Sequence, residues 1–177
     1  YGYFPSMPQT SVPRFTHNFV IYDHGALPAH YNGHLFGVEP IQGRLVESQI
    51  TPDQSTFRTA DLSRPVTSED RWFRPVDIKV GPDGALYVCD WYDQQVNHFR
   101  NHEGKIDTSN GRIYRLRSKG RQPGSPEDLG HLSSRQLVER FSHPNRWVRQ
   151  TAQRLLADRR DPSLVPALIQ SLHKNTG

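Results

Sequence analysis

The chain has 177 residues, room for one domain or two small ones, with 34% hydrophobic and 23% charged residues. Three Trp, seven Tyr and eight Phe exclude a disordered composition, and a single Cys excludes an internal disulfide framework and a thiolate zinc cluster. No apolar run approaches the roughly 20 residues of a spanning helix and nothing resembles a signal peptide, while the start on Tyr1 rather than Met is read as that of a fragment.

The net charge of +4 is unevenly spread. Residues 1–111 carry nine Lys/Arg against 13 Asp/Glu, and residues 112–177 carry 13 against five. That asymmetry predicts two modules with different surroundings. The basic segment has two readings, a solvated helical face or a surface for an anionic partner.

Residues 1–17 are Pro- and aromatic-rich without a clear period. Strands are predicted over 18–22, 33–39 and 43–50. Val76, Ile78 and Val80 then alternate with Asp77 and Lys79, which predicts a further strand. Gly81-Pro82-Asp83-Gly84 supplies turn chemistry, because Pro pre-sets φ and Gly tolerates φ > 0. Ala85 to Cys89 is rich in β-formers and completes a hairpin, with Cys89 expected to be a buried, inert thiol.

Two phrases recur. Gly33-His34-Leu35-Phe36 is echoed 51 residues later by Gly84-Ala85-Leu86-Tyr87. Gly43-Arg44-Leu45-Val46 is echoed 68 residues later by Gly111-Arg112-Ile113-Tyr114, so the second copy carries an insertion over about Asp93 to Asn110. Repeats of this length built from short strands and Gly turns point to stacked sheets of the propeller kind, because one small sheet cannot bury both faces alone. Residues 1–117 are therefore predicted to be about two blades, too few to close a ring.

Residues 118–131 are turn-rich and predicted to be a linker. Beyond them the apolar period becomes 3.6. Ser133 and Gln136 have capping-box spacing, before Leu137, Val138 and Phe141. Pro144 fits the first turn of a second helix with Val148, Ala152 and Leu155 on one face. Asp161-Pro162 ends it, and a third helix is predicted from Ser163 with Val165, Leu168, Ile169 and Leu172 aligned. Residues 132–177 are thus read as incomplete helical repeats.

The run Arg74-Pro75-Val76-Asp77 through Gly81-Pro82-Asp83-Gly84-Ala85-Leu86-Tyr87-Val88, followed by Asp90-Trp91-Tyr92 and Gly111-Arg112-Ile113-Tyr114-Arg115, resembles the blades of sorbosone/glucose dehydrogenase-like β-propellers. It is similar in particular to the large exported proteins of planctomycetes, in which such a propeller precedes HEAT-type helices and a c-type cytochrome domain. His143-Pro144-Asn145 with Trp147-Val148-Arg149 resembles the second-helix start of HEAT-like repeats. The resemblance covers about Asn18 to His173. It implies a parent that oxidises a sugar or polyol with pyrroloquinoline quinone and calcium, and passes electrons to a haem c on another domain. It also implies an exported, periplasmic or cell-surface location. Partners so implied are the rest of the propeller, a cytochrome domain and a protein partner on the helices. The C-x-x-C-H haem motif is absent here.

Candidate site residues cluster where the hairpin ends. Arg74 precedes the inner strand, and its planar fork suits a carboxylate or a substrate oxygen; the alternative is an inter-blade ion pair. Asp77 could meet a channel cation or pair with Lys79 or an arginine. By alternation Asp90 returns to the edge where Arg74 stands, with Trp91 and Tyr92 beside it; its alternative role is closing the blade turn. His24 and His98 are weaker candidates. Nine His are present, but none forms an H-x-x-x-H pair on one predicted helix, and the metal is left unassigned. No G-x-S-x-G, P-loop or G-x-G-x-x-G is present, which excludes those serine hydrolases, NTPases and nicotinamide enzymes.

Three functional readings follow. The first is a segment of a sugar dehydrogenase, inactive alone because its catalytic base lies on other blades. The second is a non-catalytic propeller and helical binding module. Nucleic-acid binding by the basic tail is the weakest, since aromatic residues for base stacking are sparse there.

Overall fold

The computed structural model describes residues 17–94, 107, 109–120 and 125–174. They form two antiparallel sheets followed by short helices. The first sheet is a four-stranded meander of β1 (Phe19–Ile21), β2 (Leu35–Glu39), β3 (Arg44–Asp53) and β4 (Thr56–Thr67). The second has β5 (Pro75–Val80), β6 (Leu86–Asp90) and β7 (Arg112–Leu116) in sequence order. The helices are α1 (Ser134–Glu139), α2 (Arg146–Arg159) and α3 (Val165–Lys174). None of the described helices is long and apolar enough to cross a membrane.

The sequence repeat is a repeat of strands. β2 opens at Leu35 and β6 at Leu86; β3 opens at Arg44 and β7 at Arg112. In the hairpin, the Gly84 amide donates to the Gly81 carbonyl at 3.0 Å, closing the turn that Pro82 and Gly84 encode. β4 was not expected. Its sequence is mostly polar and holds Pro65, and it becomes a strand by pairing along β3, from Arg44↔Thr67 to Asp53↔Thr56. Local propensity is weak there, and the neighbouring strand decides.

One face of each sheet meets the other. Phe36, Val38 and Leu45 of the first sheet bury against Ile78, Leu86 and Val88 of the second, with Tyr22 and Phe73 completing the cluster. Each such side chain contributes about 1.5–3 kcal/mol on full burial. Asp77, Lys79, Tyr87, Cys89, Ile113 and Arg115 fall on the other face of the second sheet by alternation and register. Cys89 is accordingly half-buried, not in the core as expected. The core row is Ile78–Val88–Tyr114, and Cys89 belongs to the next row over.

The helices enclose a second cluster of Leu129, Leu137, Val148, Ala152, Leu156 and Leu164. The Ser133/Gln136 capping box forms in both directions. Asn145, not the Pro144 turn, caps α2 by accepting from the Trp147 amide at 2.9 Å. A short 3-10 turn over Pro162–Leu164 precedes α3, so α3 starts at Val165 rather than Ser163. Leu164 and Leu168 turn inward, while Val165, Ile169 and Leu172 of the expected apolar face are exposed.

The helical cluster touches the sheets. The Asn145 side-chain amide donates to the carbonyls of Gly81 and Pro82, both at 3.1 Å. Arg149 donates to Asp23 at 2.8 Å. Within the segment read as a linker, the Ser118 amide donates to the Ala26 carbonyl at 3.0 Å and Leu129 is buried among the helices.

Candidate functional site

The start of β5 and the end of β6 lie side by side, with Pro75 opposite Asp90 and a bulge before Asp77. Asp90 is 3% exposed. Its Oδ1 accepts from the Arg74 amide at 2.8 Å and the Tyr92 amide at 2.9 Å. The main chains continue to pair past the strands. The Trp91 amide donates to the Arg74 carbonyl at 3.0 Å, and the Asp93 amide to the Trp72 carbonyl at 2.9 Å. Tyr92 takes φ of 59°, an uncommon value for a non-glycine residue.

Tyr92 stands between two partners. Its ring centroid is 5.7 Å from that of Trp72, and the Arg112 guanidinium carbon lies 3.7 Å from it. Arg112 opens β7 directly opposite Asp90. Its Nη1 is 3.9 Å from Asp90 Oδ2 and 3.9 Å from Asp70 Oδ2. Asp90 Oδ2 is buried and makes no hydrogen bond, so this ion pair is a loose one. The Tyr92 side chain, with Tyr114 behind it, holds Arg112 more firmly protonated against the opposing cost of burial.

Arg74 joins the site through its main chain. Its guanidinium turns away, donating to the Phe73 carbonyl at 3.0 Å and the Gln94 carbonyl at 2.8 Å, which pins the chain leaving the site. The first sheet abuts this end. Gly43 takes φ of +60°, which favours glycine, and a Cβ there would press on the Phe73 carbonyl oxygen at 3.0 Å. That approach sets the Glu39–Arg44 end of the first sheet beside Phe73 and Arg74.

The other candidates are dispersed. Trp91 is adjacent and 53% exposed. Asp77 bonds to the Asn18 amide, to the Ile78 amide at 2.8 Å and to Lys79 Nζ at 3.2 Å. Burial raises its pKa, and the Asn18, Lys79 and Ile78 contacts outweigh that and bring it below the ordinary carboxylate value. These partners of Asp77 are Asn18, Ile78 and Lys79, none of them at the Asp90 end. His24 is exposed and two residues before Ala26, whose amide donates to Gly84 at 3.0 Å, so it sits at the turn end of the hairpin. A five-residue strand puts that about 16 Å from Asp90. His98 lies outside the described residues. Among the described residues no three His, Cys, Asp or Glu converge on a point that could hold a metal.

Trp72, Asp70 and Arg112 were missed as site residues. The repeat held a signal for Arg112, since Gly111-Arg112 follows Asp90 as Gly43-Arg44 follows Glu39. Chemically, the end offers a guanidinium edge, two carboxylates and three aromatic rings, groups that bind hydroxyls and the apolar faces of sugar rings. A cavity of about 640 Å³ lies instead at the turn end, lined by Phe19, Ile21, Lys79, Tyr87, Arg146 and Trp147 among others.

Residues 8–120 match the model of a family described as a domain of unknown function (DUF7133). No curated protein matches the chain. A solved oxidoreductase from Thermus thermophilus, described as a glucose dehydrogenase, is similar at 20% identity and a TM-score of 0.34. The similarity covers 47% of this chain and 22% of that one, so the chain spans about a fifth of that protein's length.

Proposed function

The chain belongs to the DUF7133 family, and from the Asp90 end we propose that it is part of a sorbosone/glucose dehydrogenase-type propeller and forms one wall of a sugar- or polyol-binding site. The reading rests on one observation. Two sheets repeat the same buried acid and facing arginine, and only the second opens its arginine toward solvent among aromatic rings. In this reading the two sheets are blades, and α1 to α3 begin a HEAT-like array whose next helix covers Val165, Ile169 and Leu172. The parent is an exported oxidoreductase that oxidises a sugar or polyol and passes the electrons to a haem c elsewhere.

Within this wall, Asp90 holds the geometry. It ties Arg74 and Tyr92 to one point and positions Arg112, whose exposed edge donates to substrate oxygens. Trp72, Trp91 and Tyr92 offer flat apolar surface to a sugar ring. The described donor set does not fit a calcium ion, because Asp90 Oδ1 is taken by two amides, its Oδ2 faces Arg112, and among the described residues no third His, Cys, Asp or Glu joins Asp90 and Asp70. In this reading calcium, pyrroloquinoline quinone and the catalytic base belong to other blades.

Dye-linked sugar oxidation by the product of the full open reading frame tests the proposal. Arg112→Gln should lower kcat/KM by about 10- to 100-fold, the size of a lost charge-assisted hydrogen bond. The 177-residue chain alone should show no turnover. Turnover by the chain alone, or an unaffected Arg112→Gln parent, would refute the assignment.

A further inference from the structure

The cavity of about 640 Å³ lies where the helices meet the sheets, walled by β1, the β5–β6 turn and the first turns of α2. The five-residue strand β6 separates it from Asp90, so it is distinct from the wall at that end. Its volume falls in the range of roughly 300–1,000 Å³ typical of small-ligand sites. The walls are held in place. The Asn145 side chain ties the start of α2 to the carbonyls of Gly81 and Pro82, and Arg149 ties the same helix to Asp23. The Tyr87 ring lies on Gly81 so closely that a side chain at 81 would collide with it. Walls ordered beforehand lower the cost of binding.

The lining has two kinds of surface. Phe19, Tyr87 and Trp147 bring aromatic rings that are incompletely covered, and Phe19 is 49% exposed. The charged lining residues are Lys79 and Arg146, with no Asp or Glu among them. Lys79 Nζ stands 3.2 Å from Asp77 and, with three donors on an exposed side chain, keeps capacity for a second anion. Arg146 is exposed and pairs with no carboxylate among the described residues. Gln150 lies four residues beyond Arg146, on the same side of α2.

We propose that this cavity binds a small aryl carboxylate, a flat apolar ring system with an acid group, its ring against Phe19, Tyr87 and Trp147 and its carboxylate at Arg146 and Lys79. The planar guanidinium matches a carboxylate through two parallel N–H···O bonds, and the ammonium adds a point charge. A sugar is the wrong occupant here. The Tyr87 hydroxyl is directed to Asp83 at 3.3 Å, which leaves the Gln150 amide as the one uncharged polar side chain in the lining to serve hydroxyl groups. The inference goes beyond the sugar-binding reading of the Asp90 end and does not rest on it.

Binding of 2-naphthoate to the 177-residue chain is followed through the indole N–H signals of its three Trp, with Trp147→Phe assigning the Trp147 signal. Saturable movement of that signal is expected. The neutral 2-naphthylmethanol and the ringless acetate should each bind at least about tenfold more weakly, since one lacks the charge-assisted pair and the other the ring contact. Arg146→Gln should weaken naphthoate by about tenfold or more, and Phe19→Ala by about three- to tenfold, with the Trp72 and Trp91 signals unmoved as a check of the fold. Arg58→Gln, the same charge loss on the exposed β3–β4 hairpin, should change nothing. A Trp147 signal that naphthoate does not move overturns the proposal, as does equal binding of the alcohol or tighter binding of the linear decanoate. Binding that Arg112→Gln removes and Arg146→Gln spares would place the acid at the Asp90 end and overturn this proposal alone. Loss of binding in the full translation product would give the cavity to another segment of the polypeptide and overturn it as well.

Discussion

Glu39 and Asp90 end the second strand of their respective sheets, and each faces an arginine that opens the third. Glu39 is fully enclosed, and its two oxygens accept from the Ile41 amide at 3.1 Å and the Gln42 amide at 3.0 Å. Arg44, mostly buried, stands 3.8 Å away. Asp90 is nearly as buried, but its amide partners are Arg74 and Tyr92, and Arg112 is 40% exposed under a tyrosine ring. The connections account for the difference. Residues 40–43 join β2 to β3, and the tight turn folds over its own carboxylate. Residues 91–111 join β6 to β7, and at the start of this longer connection Tyr92 lies against Arg112 instead. The same acid–arginine register thus serves as a closed latch in one sheet and as a latch with an accessible edge in the other.

Breaking the closed latch should have the largest effect. Glu39→Ala leaves Arg44 buried and uncompensated, and should lower unfolding free energy by about 3–5 kcal/mol in urea denaturation. Asp90→Ala removes the acceptor of two amides but leaves an arginine that water can reach, so about 2–3 kcal/mol is expected. If the two losses were reversed in order, connection length would not be what separates the two ends. Farther from both, Asn145→Ala removes a helix cap and the two bonds to the β5–β6 turn. A loss of about 1–2 kcal/mol is expected, with amide exchange accelerated in α2 more than in β6.

Asp77 should give the smallest effect. Its folded pKa lies below the ordinary 3.8, so its stabilisation is present above that value and is lost as pH falls through the lowered folded value. The side chain is 39% exposed and solvent screens it, so Asp77→Asn should cost only a few tenths of a kcal/mol. The deficit should vanish in urea midpoints taken well below 3.8. A deficit that persists there would assign the effect to the Asn18 contact rather than to charge.

Much of the two-sheet architecture was legible in the residues. Alternation marked β5, Gly81-Pro82-Asp83-Gly84 marked its turn, and the echoes at 51 and 68 residues marked matching strands. β4 was not legible, because a polar strand is defined by its neighbour. Of the candidate site, Arg74 and Asp90 were expected at one edge and do meet there, although through the Arg74 amide and not its guanidinium. Asp77 and His24 stand apart from that edge for a reason alternation cannot supply. The bulge before Asp77 and the length of the hairpin set where each side chain ends up. Trp72 and Arg112 reach Tyr92 from positions far apart in the chain, a meeting that no local pattern encodes.

The sequence by itself determined the strands other than β4, the turn, the capping box and the placement of an acid before an arginine in each repeat, because these depend on neighbouring residues and on fixed backbone periods. Only the tertiary structure decided which acid–arginine end is sealed and which sheet face is left open. Both depend on what long-range packing brings against them: a tight turn on Glu39, an aromatic pair on Arg112, and a whole sheet on Leu45 but not on Ile113.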